Sequence, residues 1–89
     1  MNSEANWALQ TDPSVLNWLK KIPRSDAGRV LFAIESISSN PYQGDIQKMK
    51  NEKNTWRRRV GSYRIFYEIF QKEKLVVVFK IERRSSHTY

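Results

Sequence analysis

The sequence predicts an α+β domain in which an N-terminal strand and a helical hairpin pack on a twisted, mainly antiparallel sheet of about four strands. Two observations carry that expectation. Apolar residues recur at helical spacing in two segments that end at Pro23 and Pro41. From Trp56 onward, runs rich in aromatic and β-branched residues are separated by short polar turns. A chain of 89 residues is expected to form one domain over residues 1–89, and a domain of that size buries only about 60–65% of its unfolded surface.

The elements follow in order. Asn6 to Gln10 is short and partly alternating, which predicts a strand. Asp12-Pro13 supplies an N-cap carboxylate followed by proline at the first helical position. Val15, Leu16, Leu19 and Ile22 continue at helical spacing until Pro23 closes the segment. A second helix is predicted from Arg24 to Ser39, with an apolar stripe of Val30, Leu31, Ile34 and Ile37, ended by Ser38-Ser39-Asn40-Pro41. After a Pro41 to Gly44 loop, Ile46, Lys48 and Lys50 alternate with Gln47 and Met49 as a candidate strand. Trp56 to Val60 is the next strand, Gly61-Ser62 a tight hairpin turn, and Tyr63 to Phe70 its partner. Gln71-Lys72-Glu73 turns the chain into Leu75 to Ile81, whose continuous apolar character predicts a central strand buried on both faces. The polar tail from Glu82 to Tyr89 is expected to leave that strand. Repeats and low-complexity tracts are absent from the sequence.

Composition narrows the function. Sixteen Lys and Arg against nine Asp and Glu give a net charge of +7. That excess favours a polyanion: nucleic acid, an anionic membrane surface or an acidic protein. No apolar run approaches the ~20 residues of a membrane span, and the polar start Asn2-Ser3-Glu4 is unlike a signal peptide. A soluble, cytoplasmic protein with no membrane partner is therefore expected, and the lack of cysteine fits a reducing compartment. One histidine and scattered acids form no recognisable zinc, magnesium or EF-hand ligand set, and three dispersed glycines form no phosphate-cradling loop. No cofactor or metal is expected, and a nuclease on this chain would be metal-independent.

The densest feature is Trp56-Arg57-Arg58-Arg59-Val60-Gly61-Ser62-Tyr63-Arg64. On a strand, Arg57 and Arg59 point to one face and Trp56, Arg58 and Val60 to the other. Side chains two apart on one face stand ~7 Å apart, comparable to successive phosphates of one nucleic-acid strand. Arg64 joins that face across the turn. Lys48, Lys50 and Lys53 precede the cluster, and Arg84 and His87 follow it, as further RNA-binding candidates. Arg58 is counted with them, the alternative being a place at the sheet margin. The bland reading is that strand arginines keep an exposed sheet face soluble or guard an edge. Glu68 and Glu82 are isolated carboxylates. A terminal phenol such as Tyr89 can do acid–base work only if its pKa of ~10 falls toward neutrality, as nearby cations favour.

Arg59 to Ile69 (Arg-Val-Gly-Ser-Tyr-Arg-Ile-Phe-Tyr-Glu-Ile), the Val-rich strand after it and the Arg-Arg-x-x-x-x-Tyr ending resemble the RelE/ParE toxin superfamily, as does the helical hairpin ending at Asn40-Pro41. The resemblance runs from about Trp7 to Tyr89 and implies a RelE-like fold. It also implies a toxin of a type II toxin–antitoxin system, with a cognate acidic antitoxin as partner. RelE-type members cleave mRNA in the ribosomal A site, using the RNA's own 2′-hydroxyl and no metal; ParE-type members poison DNA gyrase. The first branch makes the ribosome and mRNA partners and assigns catalytic roles to Arg57, Arg59, Arg64, Arg83 (with Arg84 as the alternative) and Tyr89. Arginine with a pKa above ~12 is a poor base, so Tyr89, Lys50, Lys53 and Glu82 are left as candidates for that role. The expected activity is a ribosome-dependent endoribonuclease. A ParE-like gyrase inhibitor and a nonenzymatic basic module are the alternatives.

Overall fold

In the computed structural model, which describes residues 7–84, helices and strands form where local chemistry directs them. The chain order is β1 (Ala8–Thr11), α1 (Pro13–Leu19), α2 (Arg24–Ser39), β2 (Ile46–Lys48), β3 (Thr55–Val60), β4 (Tyr63–Phe70) and β5 (Leu75–Arg83). Asp12 caps α1: its Oδ1 accepts from the Ser14 amide at 2.9 Å and the Ser14 hydroxyl at 2.7 Å. Those two bonds favour the charged form and hold the Asp12 carboxyl below the usual carboxylate range. The helix stops at Leu19, short of the expected Ile22. The Lys20 and Lys21 amides donate three residues back, to Asn17 (3.2 Å) and Trp18 (3.0 Å), and tighten the last turn.

The sequence-based stripes are corrected by one residue on each helix. Val30, Ala33, Ile34 and Ile37 are buried on α2, the i, i+3, i+4, i+7 set of one face. Leu31 is 42% exposed, and Leu16 on α1 is 47% exposed while Val15 and Leu19 are buried. These helical faces meet Ile65, Tyr67 and Ile69 of β4 and Val76, Val78 and Ile81 of β5 in one core. Fully burying an aliphatic side chain contributes about 1.5–3 kcal/mol, so this set is the main source of the fold's stability. Tyr67 is fully buried, and its hydroxyl donates to the Pro41 carbonyl at 2.8 Å, which ties the end of α2 to the sheet.

Among the described residues the sheet has five strands in the order β1-β5-β4-β3-β2. β1 runs parallel to β5, with Ala8 opposite Leu75 and Thr11 opposite Val78, and the other pairs are antiparallel. β5 has neighbours on both edges, but the expected burial on both faces does not occur. Val76 and Val78 are buried, whereas Leu75, Val77 and Phe79 are half-buried, because the helices cover one side of the sheet only. A β-bulge then interrupts the alternation: Lys80 pairs with Phe66 and Val78 with Tyr67, leaving Phe79 as the extra residue. Beyond the bulge Ile81 and Arg83 turn toward the helices, and Lys80 and Glu82 turn outward. β5 also continues to Arg83, past the expected end at Ile81. Gly61 opens the two-residue turn between β3 and β4 at φ +59, the position where a type II′ hairpin requires glycine. No helix among the described residues is long and apolar enough to cross a membrane.

Candidate nucleic-acid interface

The face of the sheet away from the helices is set by the alternation of β3. Trp56 and Val60 pack against the core, so Arg57 and Arg59 project from the opposite face. Pairing with β4 places Arg57 opposite Phe66 and Arg59 opposite Arg64. Arg64 in turn lies opposite Glu82 of β5. The three arginines expected on one face are therefore brought together, and with Asp45, Ile46 and Gln47 they line a small depression of about 190 Å³.

Neighbouring groups determine how much of this charge is free. Arg59 Nε donates to Asp45 Oδ2 at 3.0 Å, and the pair is exposed. Lys80 Nζ lies 3.0 Å from Glu82 Oε2 and 5.1 Å from the Phe66 ring centroid. Arg57 donates to the neutral amide oxygen of Gln47. Among the described residues neither Arg57 nor Arg64 has a carboxylate partner within ion-pair distance. Directly opposed like charges on a sheet are destabilising by a few tenths to about 1 kcal/mol. The Arg59–Arg64 juxtaposition is thus a place where a bound anion relieves repulsion as well as making hydrogen bonds.

Other expected site residues lie elsewhere. Arg58, counted as an RNA contact, is on the helix side: Nη1 donates to Ser36 Oγ of α2 at 2.7 Å, and the side chain is half-buried. The guanidinium sits against Gly44, where a Cβ would stand 3.0 Å from Arg58 Cζ. Arg83 is turned away from the other arginines by the bulge, and its guanidinium lies 5.6 Å from the centroid of the Tyr63 ring. The Tyr63 hydroxyl donates to Asp26 Oδ2 of α2 at 2.6 Å. This bond, with burial, raises the Tyr63 pKa above its ordinary value. Burial likewise pushes Tyr67 up to about 12, so neither of these phenols moves toward the neutral range an acid–base catalyst needs. Lys48 and Lys53 border a separate depression at the far end of β3, and Lys50 follows β2 in the loop. Arg84 closes the described chain; its amide donates to the Ser62 carbonyl at 2.6 Å, so β5 ends beside the β3–β4 turn. His87 and Tyr89 lie outside the described residues.

Of the base candidates, Glu82 alone among the described groups shares the arginine face. Sequence reasoning did not find the partners Asp45, Gln47 and Ser36. Each is brought in by long-range pairing, 14, 10 and 22 residues from its arginine.

Residues 9–87 match the family described as the ParE toxin of type II toxin–antitoxin systems. Over 73 residues the chain is 30% identical to a Methanocaldococcus jannaschii protein named as a candidate toxin, RelE1, covering 79% of this chain and 81% of that one. Its fold is similar to that in the RelBE2 toxin–antitoxin complex of Mycobacterium tuberculosis, with a TM-score of 0.78 at 22% identity, covering 97% of this chain and 100% of the other. The RelE–RelB complex of Pyrococcus horikoshii gives 0.79 at 21% identity, covering 92% and 99%. Isolated Escherichia coli RelE gives 0.76 at 13% identity, covering 91% and 87%. At such identities the structural likeness speaks for the fold.

Proposed function

The chain belongs to the RelE/ParE superfamily of type II toxin–antitoxin toxins, and from that premise we propose that it is an mRNA endoribonuclease acting in the ribosomal A site. The observation that carries this reading is the pair of opposed outward guanidiniums, Arg59 and Arg64, beside Arg57. In the proposed reaction the 2′-oxygen attacks the adjacent phosphorus and the bond to the 5′-oxygen breaks. The products are a 2′,3′-cyclic phosphate and a 5′-hydroxyl. A base accepts the 2′ proton, and an acid returns one to the departing 5′-oxygen.

Charge accumulates on the non-bridging phosphorane oxygens, where fixed donors act most strongly in a site that excludes water. Arg59 and Arg64 are assigned that task, and Arg57 holds a neighbouring phosphate through its planar fork. Glu82, opposite Arg64, is the base candidate on the same face. By family likeness Tyr89 supplies stacking or proton transfer, whereas Arg83, turned toward the helices and over the Tyr63 ring, is not given a part in the reaction on this face. The depression is small, about 190 Å³, so the ribosome has to present the codon in an attack-ready geometry. The basic surface fits a cognate acidic antitoxin, in keeping with the antitoxin-bound state of two of the similar structures.

The family match to ParE toxins favours a second reading, a gyrase inhibitor that acts by protein binding. Two assays on the same preparation separate them. Cleavage of A-site mRNA on programmed ribosomes with undisturbed supercoiling supports the nuclease. Intact mRNA at saturating protein, with supercoiling inhibited, supports the gyrase inhibitor and refutes the nuclease.

A further inference from the structure

The far end of β3 carries a second feature that the arginine face does not use. Tyr42, in the loop after α2, meets Trp56 with ring centroids 5.6 Å apart and planes at 85°, forming an aromatic corner. Tyr42 is 42% exposed, although its ring is also held from behind by Trp7 at 6.1 Å. The corner opens into a depression of about 460 Å³, rimmed by Lys48, Lys53 and Lys72, with the amides of Asn54 and Gln71 at its border. Glu73 also lines it, yet none of the three lysines makes an ion pair among the described residues. Solvated turn lysines are ordinary. Three without an ion pair around a part-exposed aromatic corner, with two side-chain amides beside it, are a constellation with a recognisable ligand chemistry.

We propose that this corner is a stacking subsite for a base of single-stranded RNA, with Lys48, Lys53 and Lys72 on the flanking phosphates. Aromatic platforms beside cationic side chains are the general means of holding single strands, because every base offers a π-face. Perpendicular rings suit this: a base laid on one ring meets the edge of the other. Asn54 and Gln71 supply donors and acceptors for its edge. Trp56 and Arg59 are three residues apart, roughly 10 Å along β3, but face opposite sides of the sheet, so a strand of RNA that uses both the corner and the arginine face passes around the β2 edge. The inference rests on the RNA reading above and adds a second point of grip, remote from the bond that is cut.

The test is fluorescence anisotropy of an end-labelled 12-nucleotide single-stranded RNA, titrated with the full chain at several salt concentrations. Tyr42→Ala, Tyr42→Phe, the triple variant Lys48→Ala/Lys53→Ala/Lys72→Ala, and Arg57→Ala/Arg64→Ala are compared with wild type. Circular dichroism checks that each is folded, the expected result for Tyr42 and the three lysines, which are exposed, while Arg57 and Arg64 are half-buried. Tyr42→Ala should weaken binding by roughly 5- to 150-fold, the range for losing one stacked base, and Tyr42→Phe should bind like wild type. The lysine triple should flatten the slope of log K against log salt by about 2, near 0.7 per lost phosphate contact. If Tyr42→Ala and the lysine triple bind RNA like wild type, the subsite is overturned, whereas weakening in Arg57→Ala/Arg64→Ala would leave the arginine-face reading standing. RNA binding that is unchanged while either variant releases a co-purified antitoxin also overturns it and makes the corner a protein-docking site. Absence of measurable RNA binding by wild type overturns the subsite too, and the ribosome assay then decides the cleavage reading independently.

Discussion

Arg64→Ala separates function from folding in a way the sheet register makes quantitative. Arg64 faces Arg59 on one side and Glu82 on the other. Each of those neighbours has a partner of its own: Arg59 with Asp45 and Glu82 with Lys80, both at 3.0 Å. Removing the Arg64 guanidinium gives up one cross-strand attraction and relieves one cross-strand repulsion, each worth a few tenths to about 1 kcal/mol. The two nearly cancel, so stability should stay within about 1 kcal/mol of wild type, a melting shift of no more than roughly 4–8 °C for a domain of this size. Cleavage should fall by ~10²-fold or more, the usual consequence of losing one preorganised donor to the reacting oxyanion. Denaturant unfolding and single-turnover cleavage of A-site mRNA measure the two effects on one sample. Stability lost by more than about 2 kcal/mol would show Arg64 to be structural, and unchanged cleavage would remove it from the site.

Three further perturbations test the scaffold. Gly44→Ala should destabilise by about 1–3 kcal/mol, since Gly44 has φ +98 and a Cβ there stands 3.0 Å from Arg58 Cζ; in an Arg58→Ala background the penalty should shrink, and strict additivity in chemical denaturation would contradict the contact. Tyr63→Phe removes the donor to Asp26 and should lower unfolding free energy by about 1–3 kcal/mol, as for hydrogen bonds to charged groups; an unchanged denaturation midpoint would show that the bond contributes nothing. Burial raises the Tyr67 pKa from the ordinary 10.0 to about 12, so the fold favours the neutral phenol. Its contribution is complete below pH ~10 and is lost as the pH rises toward about 12, a change of at most roughly 3 kcal/mol. Phenolate absorbance followed alongside circular dichroism, with Tyr67→Phe as the reference, should show Tyr67 ionising only as the fold is lost.

Much of this architecture was legible from residue chemistry. Asp12-Pro13, Pro23 and Asn40-Pro41 marked the helices because capping and proline act locally, and Gly61-Ser62 marked the hairpin because the turn needs positive φ at its first position. Period-2 alternation separated Arg57 and Arg59 from Arg58, since a strand's two faces are fixed by covalent geometry. The bulge at Phe79 was hidden: an extra residue in a run of Leu, Val and Phe has no compositional mark, yet it decides that Glu82, and not Arg83, shares a face with Arg64. Leu75 to Ile81 looked buried on both faces because apolar content cannot report how many layers cover a sheet. The Arg58–Ser36 bond spans 22 residues, and such pairings exist only once helix and sheet have packed.

Chemistry at the scissile nucleotide tests the central claim most directly. On programmed ribosomes carrying an A-site codon, the unmodified message should be cut to a 2′,3′-cyclic phosphate and a 5′-hydroxyl. The same message with one 2′-deoxynucleotide on the 5′ side of the cut should resist cleavage at that bond. Cleavage of the deoxy message at the same bond, or a 5′-phosphate product, would contradict attack by the RNA's own hydroxyl and with it the role assigned to the arginine face.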